Sequence, residues 1–269
     1  MTGKSFRDVG WVWEGQGMDP GVPISIYGMG EGATYFGLDR CIMIFHPTNE
    51  ITLGKLSDKA EVAADISKWK LVEIPRDDSS PGGVGYRNWR DSDPKTALEE
   101  AEKLSRLSLD FPNVTAGFID DTTCMFSYGD YSTEMPERIR AALNSHNPDL
   151  KLWIVVYWQQ LDADYWRPFL PYVDVISLWQ GEPSQLPHLA EAVDRCAEVF
   201  PGKEISVGSY IHDYGRQEAV PLDLMAAQYE IMYDLWEEGR IAGYNILGAM
   251  CMDRDPEQAE FIRNFLASH

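Results

Sequence analysis

Basic residues are scarce in this 269-residue chain: 23 Lys and Arg stand against 43 Asp and Glu, a formal net charge of −20. That balance repels phosphate backbones and anionic lipid, so neither nucleic acid nor a membrane is an expected partner. The four cysteines, Cys41, Cys124, Cys196 and Cys251, include no C-x-x-C pair. Neither a disulfide framework nor an all-cysteine zinc site is therefore expected. No apolar run reaches the roughly 18 residues of a membrane span. The opening MTGKSFRDVG has no signal-peptide character, which favours a cytoplasmic location without fixing it. No low-complexity tract or Pro/Gly-rich linker divides the chain, and Walker A, H-E-x-x-H and G-x-S-x-G signatures are missing.

Short apolar runs alternating with helical patterns fill the chain instead. The spacing predicts strands over 10–14, 41–46, 69–74, 114–121, 150–158, 174–180, 204–213 and 241–249. Helices are predicted over 31–38, 58–66, 94–110, 134–145, 162–172, 184–200, 222–238 and 256–267. Leu186, Leu189, Ala190, Val193, Cys196, Ala197 and Phe200 recur at intervals of three and four, as do Leu222, Met225, Ala226, Tyr229, Met232, Tyr233 and Trp236. Each set forms one apolar stripe. Asp93–Pro94 and Asp255–Pro256 match an N-cap followed by proline at the first helical position. Eight strands and eight helices in strict alternation define a single (β/α)8 TIM barrel, an α/β fold spanning residues 1–269. An open doubly wound sheet gives the same local pattern and is the alternative.

Active sites of such barrels lie at the C-terminal strand ends. Those ends hold Glu14, His46, Glu73, Asp120, Asp121, Tyr157, Trp179, Gln180, Tyr210, His212 and Asp213. Carboxylates supply acid and base, while aromatic faces and amides suit sugar rings and their hydroxyls. Asp120 and Asp121 are adjacent, so strand alternation turns them to opposite sides. Thr115 and Gly117, polar and small, suit a barrel interior and favour Asp121 as the inward residue. Glu73, then Asp213, are the expected second carboxylate. His46, Tyr157, Trp179, Gln180, Tyr210 and His212 are the expected substrate contacts. The long segment 77–93 carries Trp89 and Arg90 and is expected to act as a lid that brings them to the substrate.

The GFIDD that ends strand four, the LWIVVYW of strand five and the DVISLWQ of strand six resemble (β/α)8 glycoside-hydrolase-like proteins. The resemblance covers about residues 114–253 and implies acidic residues at the end of strand four that cleave a glycoside or neutral oligosaccharide. It stops at the superfamily. The chitinase signature D-x-x-D-x-D-x-E and the Asn-Glu pair of two-glutamate enzymes are both missing from strand four.

Gly28, Gly30 and Ala33 satisfy G-x-G-x-x-[GA], but Glu31 puts a negative charge where a pyrophosphate would sit. No dinucleotide, other cofactor or metal is expected of the hydrolase. A divalent ion on His46, Glu73, Asp121 and His212 would make the protein a sugar isomerase, epimerase or lyase instead. A barrel lacking its catalytic pair would be a sugar-binding protein.

Overall fold

Parallel strands must have both faces covered, and at least one helix follows every barrel strand here. The computed structural model describes residues 3–13, 25–75, 84–91, 93–128 and 132–269. The barrel strands are β1 (Gly10–Trp13), β2 (Arg40–Met43), β3 (Glu61–Asp65), β4 (Val114–Ile119), β5 (Lys151–Tyr157), β6 (Val175–Trp179), β7 (Glu204–Tyr210) and β8 (Gly243–Leu247). All pair in parallel, and β1 closes the ring between β8 and β2.

The order confirms a (β/α)8 barrel and corrects its third strand. Residues 58–66, expected to be helical, contain β3, which lies between β2 and β4. The expected third strand, Trp69–Pro75, pairs antiparallel with Val84–Arg90 in a hairpin outside the ring. Two alanines and a Glu give the EVAAD run a helical composition. The ladder positions between two neighbouring strands outweigh that local preference. Glu73 therefore sits exposed on the hairpin rather than at a barrel strand end. Strand seven also ends early: His212–Asp213 pairs antiparallel with Glu218–Ala219.

Pleating gives each strand one inward set of residues. Trp11, Trp13, Ile42, Ala63, Ala116, Phe118, Trp153, Val155, Val175, Trp179 and Leu247 pack together inside the ring. Alternate residues such as Val12, Val62, Leu152, Ile154, Ile176 and Val207 pack into the outer core with the helices. On β4 the inward set is thus Ala116 and Phe118, the reverse of the sequence expectation. Gly117 is small for another reason: a Cβ there would lie 2.8 Å from Leu143 on the covering helix Met135–Leu143.

A hydrogen-bonded polar network crosses β6, β7 and β8 inside the ring. Trp179 Nε1–H donates to Ser177 Oγ at 2.7 Å, Asn245 Nδ2 donates to the same oxygen at 2.9 Å, and Ser206 Oγ donates to Asn245 Oδ1 at 3.1 Å. The Trp179 ring lies flush on Gly208, where an added Cβ would come within 2.0 Å of it. Gly208→Ala should therefore cost about 1–3 kcal/mol through overpacking and lower Tm by several degrees. An unchanged thermal unfolding curve would contradict this packing.

Candidate active site

β4 ends at Ile119, and the chain turns at once. Asp121 has φ of 41°, in the left-handed region. Strand alternation therefore no longer separates the two aspartates. Asp120 follows the inward residues Ala116 and Phe118 and is 5% exposed. Its Oδ1 accepts the Asp121 backbone N–H at 2.9 Å. Tyr157, at the end of the neighbouring β5, donates its hydroxyl to Asp121 Oδ1 at 2.8 Å. The Tyr210 phenol, at the end of β7, is close enough to influence the ionisation of Tyr157. Burial, reinforced by Tyr210 and the two carboxylates, holds the Tyr157 phenol well above its ordinary pKa. Burial likewise raises that of Tyr210. Both phenols therefore stay protonated at neutral pH, and Tyr157 remains a donor to Asp121.

Beneath this cluster lies an aromatic floor. The Trp179 ring is 4.7 Å from Trp13 and 4.8 Å from Tyr210, centroid to centroid, and is only 1% exposed. Tyr157 and Tyr210 are half-buried and closer to solvent.

The remaining sequence candidates have other neighbours. Asp213 is buried, and its Oδ1 accepts the backbone N–H groups of Gly215 and Arg216 at 2.9 and 3.2 Å, which holds the turn of the small hairpin. His212 is fully buried, with Nδ1 2.9 Å from Asp255 Oδ2. Asp255 is the N-cap of the final helix with Pro256 after it, as expected, while its side chain meets His212 and not the helix backbone. Gln180 accepts the Glu182 backbone N–H at 2.9 Å. A cavity of about 10 Å³, the size of one water, gathers Gln180, Tyr210, His212 and Asp213 at its wall. His46 instead lines a separate cavity of about 190 Å³ with Met29, Met43, Thr52 and Lys55. His46, Glu73, Asp121 and His212 do not converge. Among the described residues no group of three or more His, Cys, Asp or Glu side chains could hold a metal ion. Glu14 and the side chains of Trp89 and Arg90 lie outside the described residues.

Sequence reasoning missed Asp65. It ends β3, follows the inward Ala63, sits opposite Phe118 and is completely buried. The Ser67 backbone N–H donates to its Oδ1 at 2.7 Å, as does the Ser67 hydroxyl. Ser67 Oγ in turn accepts the Asp120 backbone N–H at 3.0 Å. The available signal was an apolar run closing on an aspartate, EVAAD, as VTAGFID closes on Asp120.

The opposite end of the barrel holds a cavity of about 490 Å³ floored by Trp11 and Trp153. Four of its charges form two pairs, Arg40 with Glu61 at 2.7 Å and Lys151 with Glu204 at 2.7 Å. In this fold that end serves stability and the C-terminal end serves chemistry.

No protein-family profile matches the chain, and no curated protein matches it by sequence. Solved structures do match. The glycoside hydrolase domain of PgaB from Bordetella bronchiseptica superposes with a TM-score of 0.56 at 11% identity, over 96% of this chain and 98% of that one. The β-glucuronidase of Bacteroides uniformis gives 0.56 at 11% identity over 90% of this chain, which spans 30% of the enzyme. A family 27 β-L-arabinopyranosidase from Geobacillus stearothermophilus gives 0.54 at 13% identity, over 97% of this chain and 74% of that one. At such identities the likeness is one of fold, the (β/α)8 barrel that these glycoside hydrolases also use.

Cys251 lies beside this end of the barrel, its Sγ 3.6 Å from the Tyr214 hydroxyl. Burial pushes its thiol up to about 11 and that of Cys196 up to about 12. A raised thiol pKa means the unreactive protonated form dominates at pH 8. Both cysteines should resist a thiol reagent in native protein at pH 8 and react promptly after unfolding. Rapid native labelling of either would contradict the packing around it.

Proposed function

We propose that the protein hydrolyses a glycosidic bond of a neutral oligosaccharide or glycoside at the C-terminal mouth of the barrel. The observation that carries this reading is the cluster of Asp120, Asp121 and Tyr157 above an aromatic floor. Glycosidic cleavage needs one carboxyl that delivers a proton to the departing oxygen and one that stays ionised. Tyr157 donates to Asp121 and holds its orientation. Asp120 and Asp121 are assigned these two roles between them. The half-buried faces of Tyr157 and Tyr210 offer contact to the sugar ring. The net charge of −20 favours a neutral substrate over an anionic one. The likeness in fold to several glycoside hydrolases supports the same class.

The test is a panel of aryl glycosides and oligosaccharides with the wild type and three variants. Asp120→Asn and Asp121→Asn each keep the side-chain shape and should lower turnover by about 10²–10⁴ with Tm nearly unchanged. Tyr157→Phe removes one hydrogen bond to a charged group and should cost about 1.5–3 kcal/mol of transition-state stabilisation. Full activity in both Asn variants would overturn the reading. Saturable oligosaccharide binding without turnover in the wild type would make this a sugar-binding barrel.

The hairpin of Trp69–Pro75 and Val84–Arg90 leaves the C-terminal end of β3, and we assign it the role of lid. Its two ends are already joined, since Asp91 N–H donates to the Lys68 carbonyl at 3.0 Å. Replacing 69–90 by a short turn should leave the barrel folded and raise KM about tenfold, the equivalent of 1.4 kcal/mol. Unchanged KM would remove the hairpin from the site.

A further inference from the structure

We infer that the cavity at the N-terminal end of the barrel is a second binding site, built for a neutral sugar. The inference goes beyond the hydrolase reading and does not rest on it. Barrel interiors of this fold are filled by layers of packed side chains. Here the lowest layer is filled only in part. Trp11 of β1 and Trp153 of β5 reach in from opposite sides of the ring and meet edge to face, with centroids 4.9 Å apart. Beside them β6, β7 and β8 contribute only Val175, Ser206 and Gly243, and a space of about 490 Å³ is left. That volume falls within the roughly 300–1,000 Å³ of small-molecule sites. Both tryptophans line it and keep 5% and 6% of their surface accessible. The Arg40 guanidinium lies over the Trp11 ring, 5.6 Å from its centroid, so Trp153 is the aromatic surface left for a ligand.

The charged rim decides the class of ligand. Lys4, Arg40 and Lys151 contribute three positive charges, and Glu61, Asp149 and Glu204 three negative ones. In a chain of net charge −20 this cavity is locally balanced. A charged ligand drawn to one set is repelled by the other. A purely apolar ligand is also disfavoured, because it would strip water from the rim charges and return no hydrogen bond. The ion pairs themselves keep spare capacity. Lys151 Nζ gives two bonds to Glu204, at 2.7 and 2.9 Å, and has a third proton. Glu61 meets Arg40 through Oε1 at 2.7 Å and accepts the Thr115 hydroxyl on Oε2 at 3.3 Å, while a guanidinium has five N–H donors in all. Each pair thus presents a donor beside an acceptor. A hydroxyl is both at once, so it bonds to the two members of a pair without separating them. A sugar ring carries several hydroxyls for the two pairs and an apolar C–H face for Trp153.

The experiment is an NMR titration of the full chain with D-glucose, D-galactose and D-xylose, read on the tryptophan indole N–H signals. Trp153→Phe, Trp11→Phe and Trp179→Phe assign the three that matter. At least one sugar should shift the Trp153 signal saturably, with a Kd of about 1–10 mM. D-Glucuronate and D-glucosamine carry one charge each and should bind about tenfold more weakly or worse. Ala242 is exposed on the cavity wall, so Ala242→Trp obstructs the opening from outside the core and should weaken binding about tenfold. Lys151→Met removes one member of a pair and should do the same. No saturable Trp153 shift with any of the three sugars up to about 100 mM overturns the site. A response confined to Trp179, at the opposite end, overturns it too. An unchanged Kd in Ala242→Trp overturns the location, and in Lys151→Met the role of the ion pairs. If Ala242→Trp does not fold, Lys151→Met decides both. Charged sugars that bind as tightly as neutral ones overturn the ligand class. Binding at Trp153 in a protein that cleaves no glycoside would sink the hydrolase reading and leave this site standing.

Discussion

In a closed barrel of parallel strands, pleating sends one set of residues from each strand inward, and the last member of that set meets the mouth. The chemistry available at the C-terminal end is fixed by where each strand stops. β3 stops on Asp65, β5 on Tyr157, β6 on Trp179 and β7 on Tyr210. β4 stops one residue short of Asp120, and its turn keeps both Asp120 and Asp121 at the same end. A shift of one residue in any of these strands would replace the inward group by one facing the helices. The Trp179–Ser177–Asn245–Ser206 network helps to hold that register, because its hydrogen bonds form only if β6, β7 and β8 keep their present alignment.

Most of this architecture could be read from the sequence, for a physical reason. From 114 onward the strands are rich in β-branched and aromatic residues and the helices carry single apolar stripes, so local preference and tertiary role agree. They diverge at β3. EVAAD is short and three of its five residues, Glu61, Ala63 and Ala64, favour a helix, so the ladders of β2 and β4 make it a strand. WKLVEI has a clear strand pattern but finds its partner in a hairpin rather than in the ring. The misplaced strand carried Glu73 into the expected site and hid Asp65.

The face of a strand was harder to read than its existence. Thr115 and Gly117 suggested an inward set on β4 because they are polar and small. Thr115 instead donates to Glu61 Oε2 at 3.3 Å near the base of the barrel, and Gly117 makes room for Leu143. Smallness reflects close approach from either side of a sheet, so it cannot distinguish interior from exterior. A single sequence also does not show that a carboxylate is committed to a turn. Asp213 and Asp121 both follow apolar strands. The first spends an oxygen on two backbone N–H groups, whereas the second takes a phenol hydroxyl from a neighbouring strand.

The two ends of the barrel treat charge differently, and the difference bears on what each can do. At the N-terminal end Arg40 meets Glu61 and Lys151 meets Glu204 in ion pairs. At the C-terminal end neutral donors reach three carboxylates: Ser67 donates to Asp65, the Asp121 amide to Asp120, and Tyr157 to Asp121. A cation ties a carboxylate to its anionic state, and so removes it from proton transfer near neutral pH. A hydroxyl or amide orients a carboxyl at a smaller electrostatic cost to its protonated form. Acid–base chemistry needs groups that are held in place and still free to exchange a proton. Asp120 and Asp121 are held in this way by an amide and a phenol at the C-terminal mouth, on a barrel whose opposite end carries ion pairs.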